Sequence, residues 1–563
     1  MHTVSSICPF CGVGCGMGLR VEDNRIVAVE PVPNHPVSQG KLCAKGWNTA
    51  FGVDPEQRIT QPLKRQGHNF VPVSWTVALD DIAEQLRDIL ANEGSKTVGV
   101  ISCARATNED NYALQKFARA VLRTHNIDHC ARICHSPSVA GLAQTLGSGA
   151  MSNSMADVDH ADLIVIWGAD VTENHAIFGG RIIQAKLNGA KLIVVDPHST
   201  RLAKLADLHI PLHLGSNIAL ANGLLHIIFR EGWQASSFLA ERVEGLDRLQ
   251  AHVTAWTPER VQRETGITPE LLYRFAQMYA HSPAAMLCYG MGITQFACGT
   301  NNVISLSNLV LVCGQIGRAG TGINPLRGQN NVQGACDMGC LPNVYSGYQS
   351  VNDAEVRAKF AHAWQVPQSE QQGMTSLAMM HAARDGAMRA MIIAGEDPAL
   401  TDPDQTEVVN ALKKLDLLVV LEMHLTATAQ LADYVLPVAS FAEKDGTFSN
   451  CERRVQRIRQ AIEPPNSCLT DWQIASELAR RLGCDGLSWQ KSEQVFSEMA
   501  ALTPIFSGMT YDLLAQNQGL QWPCNDQAPL GTPILHQQTF PLQDNGKARV
   551  IALESAEPAE MPD

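Results

Sequence analysis

Four cysteines near the N-terminus are the first residues of this 563-residue sequence whose types and spacing could do chemistry. Cys8, Cys11 and Cys15 are separated by two and then three residues, and Cys43 joins them further along. Four soft thiolate ligands suit either an iron–sulfur cluster or a structural zinc ion. Zinc sites of four cysteines usually come as two CxxC knuckles. Here three cysteines crowd into one short segment with Gly12, Gly14 and Gly16. Glycines at that density let the backbone wrap a cube and aim N–H groups at its sulfurs, so the spacing favours the cluster. Lys45 follows the last cysteine; it reads either as a solvated surface charge or as a cation reaching toward a redox partner.

A second chemical segment is Cys134-His135-Ser136-Pro137-Ser138-Val139-Ala140-Gly141. A thiol beside an imidazole suggests a nucleophile, yet catalytic dyads meet in space more often than in sequence. A metal-bound thiolate with an imidazole nearby as proton carrier accounts better for the adjacency. Cys103, Cys288, Cys298, Cys313, Cys336 and Cys340 sit among apolar or small residues and read as buried small hydrophobes.

Such residues need a scaffold, and the pattern from about residue 60 onward is α/β. Val98–Ser102, Leu163–Trp167, Lys191–Val195, Ala285–Tyr289, residues 390–393, residues 417–421 and residues 434–436 read as short apolar strands. Helix-like stretches over 111–123, 179–188 and 472–482 accompany them, and 19–21 and 26–29 read as short strands near the cysteines. Strand, helix and strand at this spacing form βαβ units, hence parallel sheets. In doubly wound sheets a ligand lies beyond the carboxyl ends of the strands. The glycines and acids there, such as Gly290-Met291-Gly292 and Gly395-Glu396-Asp397, are therefore the places to look for a nucleotide-like cofactor.

The bulk numbers set bounds. With 43 Lys and Arg against 56 Asp and Glu, the net charge is −13, which argues against a nucleic-acid surface. There is no signal-peptide pattern, no twin-arginine pair and no run of about 18 apolar residues, so a cytoplasmic protein without a membrane span is expected. Sixteen unevenly spaced cysteines in so long a chain point to metal or catalysis rather than to disulfides.

Three segments together carry a resemblance: the N-terminal cysteine motif, residues 131–141 (ARICHSPSVAG) and residues 324–334 (NPLRGQNNVQG). They resemble the catalytic alpha subunit of molybdopterin-dependent formate dehydrogenases in its cysteine-containing form. The resemblance implies an α/β, multi-domain molybdopterin oxidoreductase fold, with doubly wound parallel-sheet domains and a small N-terminal iron–sulfur domain. It implies that Cys8, Cys11, Cys15 and Cys43 hold a [4Fe–4S] cluster. It also implies that two molybdopterin guanine dinucleotides chelate molybdenum or tungsten, with Cys134 as a further ligand. His135 would accept a proton or orient formate, Arg327 would clamp it, and Lys45 would lie on the electron path. Arg105, Glu173, Asp196, Gly215, Gly292, Gln295, Gln329, Gly395, Asp397 and Asp471 fall where the family contacts pterin or guanine. Formate would be oxidised to CO2, or the reverse. Electrons would leave to another subunit or a soluble acceptor such as an iron–sulfur protein, a diaphorase or a hydrogenase. Related nitrate reductases place an apolar residue after their metal-binding cysteine, so His135 with Arg327 argues against that chemistry.

The expected layout is an iron–sulfur domain over 1–60 completed by 441–540, one α/β domain from 61–129 with 330–440, and a second from 130–329 that carries Cys134. Residues 541–563 would be a linker toward a C-terminal domain that relatives carry, either supplied by a separate chain or lost from this one. Two departures stand out: Asp170 occupies a position where relatives usually have Asn, and His198 one where they usually have Arg. A non-catalytic cofactor-binding subunit is the competing reading.

Overall fold

The computed structural model describes all residues except 55, 57, 541–544 and 556–563. The chain forms two compact units. The first comprises residues 1–132, 329–450 and 454–531; the second comprises 133–328, 451–453 and 532–563.

The second unit is built on a five-stranded sheet with the order Leu208–Ile210, Lys191–Val195, Leu163–Trp167, Ala285–Tyr289, Gly322–Pro325, parallel throughout. Every residue of Leu163–Trp167 and of Ala285–Tyr289 is buried. A parallel strand covered on both faces by helices selects such unbroken apolar runs. The helices Asn217–Glu231, Pro269–Ala280 and Gly299–Val312 contribute to the same core through Leu220, Leu224, Phe275, Leu309 and their neighbours. From the central strand Leu163–Trp167 the chain winds outward to Lys191–Val195 and Leu208–Ile210. It then returns to the other side of Leu163–Trp167 with Ala285–Tyr289. The strand order therefore reverses between Leu163–Trp167 and Ala285–Tyr289, which is where a doubly wound sheet opens a crevice.

The first unit repeats the plan. Its seven-stranded sheet runs Asn69–Pro72, Leu63–Gln66, Tyr434–Pro437, Leu417–Glu422, Ala390–Ala394, Val98–Ser102, Ile127–His129. The last five strands are parallel, and the first two form an antiparallel edge. Here the order reverses between Val98–Ser102 and Ala390–Ala394. The N-terminal segment adds an antiparallel meander of His2–Ile7, Gly16–Glu22 and Arg25–Pro31. A second small sheet joins Gly446–Ser449, Arg454–Ile458 and Leu520–Gln521.

The strands read from sequence reappear within about three residues, and two helices start three residues earlier than read, at Ala176 and at Asn108. The stretch expected over 111–123 begins at Asn108, because Thr107 accepts from the Asp110 N–H while the Asp110 carboxylate accepts from the Thr107 N–H. That reciprocal cap sets the start, and the apolar pattern alone does not reveal it. After Lys116 the helix widens into a π turn over Phe117–Val121. Near the C-terminus, Ala548–Arg549 pairs in parallel with Val243–Glu244, and Phe540, Ala548 and Val550 enter the core of the second unit. Part of the expected 541–563 linker is thus a packed strand, and residues 541–544 and 556–563 lie outside the described residues. No helix of the described residues is long and apolar enough to cross a membrane.

The reversal in the second unit depends on glycine. Gly168 has φ +60°, and a Cβ there would sit 2.8 Å from the Gly292 carbonyl carbon. Gly168→Ala should therefore destabilise the chain by about 1–3 kcal/mol, seen as a lower melting temperature. Gly180→Ala is the control: its Cβ would meet nothing within 4 Å on the helix Ala176–Leu187, and it should be neutral or stabilising.

Candidate active site

The chain enters the second unit at Ile133 and passes through Cys134 into the helix Ser136–Leu146. His135 is the N-cap of that helix, and Pro137 fits its first turn, where no N–H partner is lost. The Cys134 thiol is only partly buried and lies 3.6 Å from the Met291 sulfur at the end of the strand Ala285–Tyr289. Gln295 donates from Nε2 to the Ile133 carbonyl at 2.8 Å, which steadies the segment just before Cys134.

His135 is fully buried. Its Nε2 lies 3.2 Å from the Leu326 carbonyl and its Nδ1 3.0 Å from the Ser138 hydroxyl. A carbonyl only accepts, so Nε2 carries the proton and Nδ1 accepts from Ser138. Ser138 in turn accepts from the Tyr289 hydroxyl at 2.9 Å. Burial, followed by the charge of Arg327 and by His175, pushes the His135 pKa down to about 3, so the ring is neutral. Arg327 is fully buried just beyond the strand Gly322–Pro325 and donates to the Gly149 carbonyl at 2.9 Å. His175 holds the Arg327 carbonyl at 2.8 Å. Thus Cys134, His135 and Arg327, chosen from sequence, belong to one compact unit, and His135 and His175 are bonded to the adjacent carbonyls of Leu326 and Arg327.

The other residues chosen in this unit line the strand ends. Gly292 faces Gly168 across the reversal. Asp196 follows Lys191–Val195 and accepts from the His198 N–H at 2.8 Å, while burial raises its pKa and nearby Asp170 adds to the rise. Gly215, with φ +81°, precedes the helix Asn217–Glu231, and Glu173 is exposed in the short helix Val171–Asn174.

In the first unit, burial pushes the Cys8 thiol up to about 12 and also raises Cys11 and Cys15, and the sulfurs of Cys8, Cys11, Cys15 and Cys43 feel one another's charge. The four thiols thus lie near one another. Among the described residues no three His, Cys, Asp or Glu side chains converge on a single-ion point. Four thiols close enough to feel one another's charge fit the thiolate set of an iron–sulfur cluster. Asn450 donates to the Val13 carbonyl and Gln456 to the Gly14 carbonyl. Arg105, exposed beyond Val98–Ser102, donates to the carbonyls of Pro9 and Phe10. Lys45 and Arg105 both stabilise negative charge on Cys11.

At the reversal of this unit Gly395 has φ +55°, and a Cβ there would lie 2.6 Å from the Cys103 sulfur, which donates to the Gly395 carbonyl. Gln329 accepts from Cys130. Asp397 is already engaged, accepting from the Thr428 N–H and hydroxyl. Asp471 pairs with buried Lys444, which also binds Asp110, and burial raises Asp471 to about 6. Glu396, within the Gly395-Glu396-Asp397 segment noted in the sequence but not chosen there as a contact residue, lies just beyond the strand Ala390–Ala394, and Glu422, which the sequence reading missed, ends the strand Leu417–Glu422. Burial raises each to about 7, and Glu396 Oε1 is buried with no hydrogen-bond partner. A buried acceptor lacking a donor fits a ligand that brings N–H groups, as pterin and guanine rings do. Each unit has one strand-order reversal, the place where a doubly wound sheet takes its ligand. Ser138, Tyr289 and His175 were also missed. Only the spacing of Ser138, three residues after His135, hinted at its contact. Of the cysteines read as buried, Cys103, Cys288, Cys313, Cys336 and Cys340 are so, while Cys298 is partly exposed.

Ser138→Ala would leave His135 Nδ1 and the Tyr289 hydroxyl without their shared partner. It should cost about 1–3 kcal/mol in denaturant unfolding, against about 0.5–1.5 kcal/mol for Tyr289→Phe, which leaves the Ser138–His135 bond in place. Glu422 gives a pH test. The folded state keeps its proton until about pH 7 while the unfolded chain releases it near 4.5. The folded state thus binds more protons across that window, and this group's contribution to stability falls as pH rises through it. In the cofactor-free chain the melting temperature of Glu422→Gln should gain on that of the wild type between pH 5 and pH 7.5.

Residues 58–481 match the molybdopterin oxidoreductase family model, and residues 1–52 match the molybdopterin oxidoreductase Fe4S4 domain. The chain is 45% identical over 561 residues to the F420-dependent formate dehydrogenase subunit alpha of Methanocaldococcus jannaschii, covering 100% of this chain and 82% of that one. It is 40% identical over 570 residues to formate dehydrogenase H of Escherichia coli, covering 100% of this chain and 79% of the relative. Among solved structures, acetylene hydratase from Pelobacter acetylenicus superposes with a TM-score of 0.80 at 20% identity, covering 97% of this chain and 77% of that one, which shows the shared fold. Molybdopterin and a [4Fe–4S] cluster are the cofactors these matches indicate. The chain belongs to the molybdopterin oxidoreductase family, with its N-terminal Fe4S4 domain, and groups there with the alpha subunits of formate dehydrogenases.

Proposed function

We propose that this protein interconverts formate and CO2 in the cytoplasm and passes the electrons to a separate redox protein. The observation that carries the reading is a fully buried guanidinium, Arg327, tied through the adjacent Leu326 carbonyl to the neutral imidazole of His135, next in sequence to Cys134. Relatives named as formate dehydrogenases, similar over the whole chain, support it.

Formate loses two electrons and its hydrogen and leaves as CO2. When bound, the molybdenum or tungsten of two molybdopterin guanine dinucleotides would accept the electron pair, and the [4Fe–4S] cluster would deliver electrons singly. Cys134 would hold the metal, and Cys8, Cys11, Cys15 and Cys43 the cluster. Lys45 and Arg105 lower the cost of negative charge on Cys11, as a site that repeatedly gains an electron requires. The reversal crevices, with Gly292 and Asp196 in the second unit and Gly395 and Glu396 in the first, would take one dinucleotide each. Glu173, Gly215, Gln295 and Gln329 would lie along them, whereas Asp397 and Asp471 are bonded to Thr428 and Lys444.

Formate is a small anion with almost no apolar surface, so its binding must rest on charge-assisted hydrogen bonds. Arg327 offers two donors in a fixed fork. His135, with Nε2 committed to the Leu326 carbonyl and Nδ1 to Ser138, is held in one orientation and limits how the substrate sits. Both side chains are buried, which strengthens their interaction with an anion.

Formate oxidation with a viologen dye as acceptor tests the proposal. Arg327→Lys keeps the charge but loses the fork. It should lower kcat/KM for formate by roughly ten- to a hundredfold, the equivalent of about 1.5–3 kcal/mol, with metal and pterin content unchanged. Wild-type kinetics in that variant, or loss of its cofactor, would remove Arg327 as the substrate clamp.

A further inference from the structure

A cavity of about 300 Å³ opens in the first unit between the strand His2–Ile7, the strand Arg454–Ile458 and the helix Tyr511–Gln516. That volume is at the lower end for small-molecule sites. No residue assigned above to formate, pterin or metal lines it. Ser6, Gln456, Arg457 and Arg459 do, with Gly16 beside them. These side chains bring more hydrogen-bonding capacity than the protein uses. Ser6 is 1% exposed, and its hydroxyl has no hydrogen-bond partner. Arg457 Nε and Nη1 are likewise buried and unpartnered. The remaining contacts of that guanidinium are the Tyr511 ring, whose centroid is 3.2 Å from its carbon, and Asp445, 3.4 Å from Nη2.

Positive charge is in surplus here. Arg459 feels the repulsion of Arg457 and the attraction of Asp445. Glu109 and Glu493 also feel Arg457, but Glu109 is bonded to Thr447 and Tyr511, and Glu493 to Lys491. Two guanidinium groups thus share Asp445. Buried donors without acceptors point to a ligand that brings them. Neighbouring guanidinium groups suit a tetrahedral oxyanion, whose oxygens accept paired bonds. Gln456 narrows the choice. Its Nε2 donates to the Gly14 carbonyl, so its unpartnered atom is the acceptor Oε1. Hydrogen phosphate carries a P–OH that can donate to such an acceptor. Sulfate carries none at neutral pH, and a phosphate ester, with a second pKa of about 6, has mostly lost its own.

We infer that this cavity binds inorganic hydrogen phosphate, with Arg457, Arg459 and Ser6 donating to its oxygens and Gln456 Oε1 accepting from its hydroxyl. The site also has a bearing on electron transfer. Ser6 precedes Cys8 by two residues and Gly16 follows Cys15, so the bound charge lies beside proposed cluster ligands. A negative charge there opposes the addition of an electron, so occupancy lowers the reduction potential of the cluster. This coupling rests on the assignment of Cys8 and Cys15 to the cluster; the binding of phosphate does not.

Calorimetric titration of the anaerobically purified holoenzyme with inorganic phosphate, in phosphate-free buffer at constant ionic strength, tests the site. Wild-type binding should saturate with single-site stoichiometry, and sulfate should bind about tenfold or more weakly. Arg459→Gln, a change at a partly exposed position, and Ser6→Ala should each weaken phosphate binding by about tenfold. Without phosphate, Ser6→Ala should keep or raise the melting temperature, because it removes a buried hydroxyl that has no partner. No saturable phosphate binding, equal affinity for sulfate, or unchanged affinity in both variants would overturn the inference. The coupling is read in a potentiometric titration followed by electron paramagnetic resonance. Saturating phosphate should move the wild-type cluster midpoint to lower potential, and the same concentration should move that of Arg459→Gln less. A wild-type midpoint that stays in place at saturation would overturn the coupling, while the calorimetric result still decides the site.

Discussion

Two adjacent peptide groups, those of Leu326 and Arg327, bind the active-site elements to one another. The Leu326 carbonyl accepts from His135 and the Arg327 carbonyl from His175, while the Arg327 guanidinium reaches the Gly149 carbonyl. The Leu326 N–H donates back to the Tyr289 carbonyl. Four separate parts of the second unit, namely the helix after Cys134, the segment at Gly149, the turn at His175 and the strand Ala285–Tyr289, thus meet on two residues. Polar groups buried this deeply are costly unless bonded, so the arrangement tolerates little displacement. That rigidity suits a site whose substrate offers only two oxygens to hold.

The same logic accounts for the strand reversals. At both, backbone approaches backbone or a sulfur more closely than any side chain would allow. Around the reversal of the first unit the fold gathers carboxyl groups, Glu396 and Glu422 among them, and burial lifts their pKa values into the neutral range. By themselves such groups oppose folding at neutral pH. A ligand carrying N–H donors, or the positive charge of Arg105 nearby, offsets that cost, so the crevice is a region where binding and stability are coupled.

Elsewhere the first unit buries full charges in pairs. Arg58 and Glu443 have fully buried side chains, and Lys444 sits between Asp110 and Asp471. Taking such charges out of water costs about as much as their attraction returns, so they specify which segments meet more than they add stability. Arg58 precedes the first strand of its sheet, whereas Glu443 and Lys444 come from the far end of the chain. Asp110 lies on the helix that follows the strand Val98–Ser102.

The cluster cysteines, the Cys134–His135 pair and Arg327 were legible in the sequence because their chemistry is local, carried by residue type and short spacing. So were the central strands, such as Leu163–Trp167 and Ala285–Tyr289, since a strand buried on both faces must be apolar along its whole length. The edge strands Ile127–His129, Leu208–Ile210 and Gly322–Pro325 were not, because three or four residues hold no periodicity and only the neighbouring strand defines them. Tertiary structure alone decided that His135 is neutral with its proton on Nε2, since the Leu326 carbonyl that fixes it is 191 residues away. It alone showed Asp397 and Asp471 already bonded within the protein, and left Glu396, between two residues chosen from sequence, with the unpartnered oxygen. A sequence states which groups can ionise or donate; which of them are buried, and against what, depends on contacts between segments hundreds of residues apart.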